Sequence, residues 1–113
     1  PWTWWSDKDA GGGALGAIGS HCIDSFRWFL ETEISQVFCQ LQTHIKERKD
    51  EKTGEMTEVT SDDEANLIMR FAESDLTEDA TGVISISMVE YPNYQNVIEF
   101  FGSGGAMRVN FLG

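Results

Sequence analysis

Between positions 15 and 30 the apolar residues fall three or four apart, at Leu15, Ile18, Cys22, Phe26 and Phe29. That spacing gathers them on one side of an α-helix and leaves Ala17, His21, Asp24 and Trp28 on the other. At Ile34 the period changes to two. Val37, Cys39, Leu41 and Ile45 alternate with Gln40, Gln42, His44 and Lys46, which predicts a long half-buried strand. Positions 47–64 carry eight acidic residues, Glu47, Asp50, Glu51, Glu55, Glu58, Asp62, Asp63 and Glu64, with no apolar period, which predicts a mobile hairpin loop. Three or four more strands follow, at roughly 65–72, 82–89, 96–101 and 106–111, each rich in β-branched or aromatic residues. Turn-forming residues separate them at 75–82, at Pro92-Asn93 and at 102–105. Links this short favour antiparallel neighbours, because a parallel return needs a crossover of about a dozen residues. The pattern predicts an α+β fold: an open, largely antiparallel β-sheet with an N-terminal helix packed on one face.

Leu67-Ile68-Met69 and Ile98-Glu99-Phe100-Phe101 put apolar residues on both faces of their strands. One helix covers one face of a sheet, so the other is expected against another domain or another subunit, with a homo-dimer or higher oligomer through the sheet face as the simplest closed solution. The 113 residues, 41% of them hydrophobic, suffice for the core of one compact domain. The net charge of -11, from 19 acidic against 8 basic residues, argues against nucleic acid and anionic membrane as partners. No apolar run reaches membrane-spanning length and no basic, apolar, small-residue leader pattern is read in the sequence, so neither insertion nor secretion is expected. Cys22 and Cys39 lie within apolar patterns, outside metal-ligand spacings, and are expected as buried free thiols in a reducing, cytoplasmic setting. A start on Pro1 and an end without a polar tail point to a piece of a longer protein.

The run GGGALG at positions 11–16 matches GxGxxG, the fingerprint of a dinucleotide-binding turn. That turn requires a buried strand immediately before it, and the preceding residues are PWTWWSDKDA, which are too polar for one. The alternative is that the glycines let the backbone enter a helix in tight quarters. His21, on the helix face opposite the apolar row, is either solvated or set against a second surface, where it could handle a proton near neutral pH. Asp24 could orient the imidazole or decorate the helix. The two alone supply too few ligands for a metal, and none is expected.

The segment GGGALGAIGSHCIDSFRWFL, with a tryptophan-bearing stretch before it and DDEANLIMRF, GVISISM and NVIEFFGSGGAMRV after it, resembles the C-terminal domain of the glucose-fructose oxidoreductase, inositol dehydrogenase and MocA family. The resemblance covers nearly the whole chain. It implies that residues 1–113 form a substrate-binding and oligomerisation domain, and that the N-terminal Rossmann domain, which binds NAD or NADP, lies outside this chain. No cofactor is then expected on the fragment itself. It implies a sugar-like or polyol substrate, oxidised or reduced at a CH–OH carbon, with His21 catalytic and Trp4, Trp5, Gly12, Gly13, Ala17 and Asp24 as substrate contacts. For the tryptophans, packing in the core or an interface is the alternative use. Many family members carry an aspartate where this chain has Ala17. That departure leaves room for a different proton path, or for a non-catalytic protein-interaction module built on the same fold.

Overall fold

A computed structural model describes residues 1–90 and 95–111; the turn expected at Pro92-Asn93 lies outside the described residues. The fold is α+β. The helical segment opens with a π turn, Leu15–Gly19, and continues as α1, Ser20–Leu30. The strands are β1 Ile34–Gln42, β2 Glu47–Lys49, β3 Met56–Glu58, β4 Glu64–Phe71, β5 Thr81–Ser87, β6 Val97–Gly102 and β7 Gly105–Asn110. All pairings between these strands are antiparallel, and an isolated parallel bridge joins Trp2 to Asp50. The described strands form three sheets, in the orders β1-β4-β5, β2-β3 and β6-β7.

Strict alternation along β4 places Ala65, Leu67, Met69 and Phe71 on a buried face, joined by Ile84 and Ile86 of β5. Leu15, Ile18, Cys22, Ile23, Phe26 and Leu30 pack against that face from the helix side. Gly19 sets how near the helix comes: a Cβ there would lie 2.8 Å from Leu15 Cδ1 and 3.2 Å from Ile86 Cδ1. The wide π turn and the missing side chain together let the start of the helix settle onto β5. Phe29 leaves the predicted apolar row. Its ring lies 5.2 Å from Phe100 of β6, while Phe26 spans Phe71 at 6.0 Å and Phe100 at 5.9 Å, so the aromatic end of α1 also holds the β6-β7 hairpin. Past Leu30, Glu31 takes a left-handed conformation at φ 51°. The Arg27 guanidinium closes over this turn by donating two hydrogen bonds, of 2.7 and 2.8 Å, to the Glu33 carboxylate.

Two expectations are corrected. Residues 47–64 are an ordered segment: β2 and β3 pair from Glu47↔Glu58 to Lys49↔Met56, and Val59, Ser61 and Asp63 are buried. The reason lies in the partners the segment finds. The N-terminal stretch binds it through Trp2 N–H to Lys49 O, Trp2 Nε1–H to Glu58 O and the Thr60 and Ser61 N–H groups to Ser6 O. Asp63 accepts hydrogen bonds from the His44 and Ile45 N–H groups. Cys39 is exposed, whereas Cys22 is half-buried and burial pushes its thiol pKa up. Cys39 stands opposite buried Leu67 and so faces the helix layer, but the helix packs on β4 and β5 and leaves that side of the edge strand β1 uncovered.

Candidate functional site

The glycine-rich turn is shaped by its own neighbours. Gly11 is left-handed at φ 86° and closes a short 3-10 turn, Lys8–Ala10. A Cβ on Gly12 would run into the Trp5 carbonyl, and one on Gly13 into the Asp62 carboxylate; Gly13 is also buried at φ 123°. Asp62 Oδ2 accepts a 2.7 Å hydrogen bond from Leu15 N–H, and Asp62 O accepts from Ala14 N–H at 3.0 Å. The electropositive start of the helix, where a bound pyrophosphate would sit, therefore already holds a carboxylate of the same chain. A second anion there would meet like charge and occupied donors. The turn does not fit a dinucleotide's phosphates, and its glycines have a packing reason.

The outer face of the helix is different. Ala17, His21, Asp24 and Trp28 are all exposed along it. Neither ring nitrogen of His21 is engaged in a hydrogen bond among the described residues, so both are available to a ligand. Asp24 leans the other way, 3.6 Å from Arg27 Nη1. Arg27 is held chiefly by Glu33, whose carboxyl its hydrogen bonds draw below the ordinary glutamate pKa. An open depression beside this face is lined by Asp24, Arg27, Trp28 and Glu33, among others. Ala17, one turn before His21, brings a methyl group and no proton-handling atom.

The structure thus gathers Ala17, His21 and Asp24 on one surface and separates the tryptophans. Trp4 is exposed on a 3-10 turn, Trp4–Ser6, while Trp5 packs against the core and its carbonyl accepts a hydrogen bond from Ser61 Oγ. Sequence reading missed Asp62, which acts on the helix start from 47 residues away. It also missed a polar chain on the other side of the sheet. His44 Nε2 lies 2.5 Å from Glu64 Oε2, Asn66 Nδ2 donates to Glu64 Oε1 and Ser85 Oγ donates to Asn66 Oδ1. Bonds from Asn66 and then His44 hold the Glu64 carboxyl below its ordinary pKa. Period-two spacing was the available signal, since it places Glu64 and Asn66 on one face. Among the described residues no group of three or more His, Cys, Asp or Glu side chains is placed to hold a metal ion, and no helix is long and apolar enough to cross a membrane.

Comparison with known proteins places this surface in context. Residues 1–108 match the model of the GFO/IDH/MocA C-terminal domain. The chain belongs to that family. It is 29% identical over 107 residues to an uncharacterized oxidoreductase of Synechocystis sp., a match that covers 94% of this chain and 27% of the relative. Among solved structures it is similar to an oxidoreductase domain protein from Kribbella flavida, with 33% identity, a TM-score of 0.83, and coverage of 98% of this chain and 28% of that one. It is also similar to a levoglucosan dehydrogenase solved in complex with NADH and L-sorbose, with 33% identity, a TM-score of 0.80, and coverage of 97% and 28%. This member of the GFO/IDH/MocA family therefore spans a little over a quarter of the length of these relatives. It is the C-terminal domain of an oxidoreductase family.

Proposed function

We propose that this chain is the substrate-binding and self-association domain of an NAD(P)-dependent oxidoreductase that acts on a CH–OH carbon of a sugar-like or cyclitol-like molecule. The observation that carries the reading is the outer face of the helix, where His21 stands exposed with both ring nitrogens free among the described residues. Its helix is fixed from the opposite side by the sheet. A rigid element that presents an unengaged imidazole suits proton transfer to or from a substrate hydroxyl. The kinship with a dehydrogenase solved with NADH and a sugar supports the reaction class. The nicotinamide cofactor would be held mainly by a domain outside this chain, because the glycine turn is closed to phosphates by Asp62. Of the other substrate contacts, Ala17 and Asp24 share the His21 surface, and Trp4 offers an exposed ring of the kind that stacks on sugars. Trp5, Gly12 and Gly13 act from beneath by shaping the approach to the helix.

His21→Ala in the intact enzyme tests this. The side chain touches no core residue of the sheet, so the fold should survive while turnover falls about 100- to 10,000-fold, the usual range for a lost acid/base group. A melting temperature unchanged together with unchanged turnover would remove His21 from the chemistry.

A further inference from the structure

The helix leaves one large ring in the open: Trp28 is 74% exposed. The ring is nevertheless held. It meets Phe29 edge-on, with centroids 5.0 Å apart and an interplanar angle of 79°, and Phe29 in turn packs on Phe100 at 5.2 Å. The depression that Trp28 borders has a volume of about 380 Å³, near the lower end of the roughly 300–1,000 Å³ of small-molecule clefts. Three carboxylates, those of Asp24, Glu31 and Glu33, stand around it with one guanidinium, that of Arg27. Arg27 Nε and Nη2 are committed to Glu33, and Nη1 lies 3.6 Å from Asp24, so the polar wall is set before any ligand arrives.

That wall selects the charge of what binds. Its single cation is already paired and the balance is negative, so a phosphate or carboxylate on the ligand would be repelled. Hydroxyl groups suit it, because each can donate to a carboxylate oxygen while the C–H face of a pyranose lies on the indole. A fixed, exposed indole beside oriented carboxylates therefore matches an uncharged sugar ring. Position along the helix decides which ring. Trp28 follows His21 by seven residues on the same outer face, two turns and about 10.5 Å along the axis. Asp24 lies between them, a surface neighbour of both. One pyranose cannot reach His21 and also lie on Trp28, whereas two linked pyranoses span the distance.

We propose that Trp28, with Asp24 and Arg27, binds the second, non-reacting ring of a glycosidically linked substrate whose first ring is oxidised or reduced beside His21, so that the substrate is an uncharged disaccharide or larger glycoside. The proposal rests on the His21 reading above and adds the second ring. It is tested by assaying the intact enzyme, with NAD and with NADP, on matched pairs: D-glucose against cellobiose and maltose, D-xylose against xylobiose, and D-mannose against mannobiose. In a pair that is turned over, the disaccharide should be preferred about tenfold or more in kcat/KM. Trp28→Ala should remove that preference, lowering kcat/KM about tenfold on the disaccharide and no more than about twofold on the monosaccharide. Trp28→Phe keeps an aromatic face and should restore most of the preference. A monosaccharide favoured over its disaccharide, or a Trp28→Ala loss equal on both, overturns the second-ring site and leaves the His21 reading standing. An equal loss joined to a fall in melting temperature overturns it too, and identifies Trp28 as a packing residue against a domain outside this chain. No turnover of any of these sugars overturns both readings.

Discussion

Asp62 and Gly13 form one device at the start of the helix. The carboxylate caps Leu15 N–H, and Gly13 gives it room by having no side chain at φ 123°. Asp62→Ala should therefore lower stability by about 1 to 2 kcal/mol, as loss of a helix N-terminal cap does. Gly13→Ala should lower it further, and it should remain destabilising in the Asp62→Ala background, because the left-handed strain of about 1 to 2 kcal/mol does not depend on the carboxylate. Urea denaturation of the two single variants and the double variant checks both statements. The same residues show what a sequence reveals at this scale. Gly12 and Gly13 announce tight backbone, and the polar stretch before them argues against a phosphate turn. The acid that occupies the helix start is 47 residues away, where nothing local distinguishes it from the solvated acids around it. His21 was legible as an outward-facing residue because helical phase is a local property. Whether it works in catalysis depends on what stands opposite it, and that is not written in the helix.

For whole elements, legibility followed how much of an element's environment its own period encodes. The spacing in α1 predicted its sheet-facing side closely, since a helical period is a direct record of a buried face. The alternation in β1 predicted a half-buried strand, yet Val37, Cys39 and Leu41 stay exposed because the helix packs on β4 and β5. Phe29 departed because its partner, Phe100, lies in a hairpin about 70 positions later in the chain. Residues 47–64 departed for a related reason. A run of acids without apolar period lacks its own burial, yet backbone groups from the N-terminal stretch and carboxylate caps order it, and those partners are non-local. The two faces of β4 give the sharpest test of the core assignment. Met69→Ala, at 2% exposure, should cost about 2 to 5 kcal/mol through lost burial and a cavity. Ile68→Ala, its neighbour on the open side, should change monomer stability by no more than about 0.5 kcal/mol. Thermal melts at a concentration that keeps the variants monomeric distinguish the two, and similar losses at both sites would mean that the helix layer does not define the core.

As a whole, the molecule is a slab of 55 × 27 × 18 Å, thin because a single helix layer backs the main sheet and, among the described residues, nothing covers its other side. Its charge of -11 works against the self-association proposed above, and the outer face of β1-β4-β5, where only Glu64 and Arg70 are charged among the paired positions, is where that opposition is weakest. The competition has a readable dependence on salt. At about 0.01 M the Debye length is about 30 Å, longer than the slab is thick, so the acidic residues of one copy act on those of the other. At about 0.15 M it shrinks to about 8 Å, and most of that long-range repulsion is screened while burial of the apolar row Phe38–Ile68–Val83 is much less affected. Association should therefore tighten as ionic strength rises across this range, the reverse of what an interface held mainly by exposed ion pairs would show. Light scattering at fixed protein concentration over a sodium chloride series follows this directly. A steady loss of dimer with added salt would mean that charge attraction dominates the contact, and the apolar row Phe38–Ile68–Val83 would then have to face something other than its own copy.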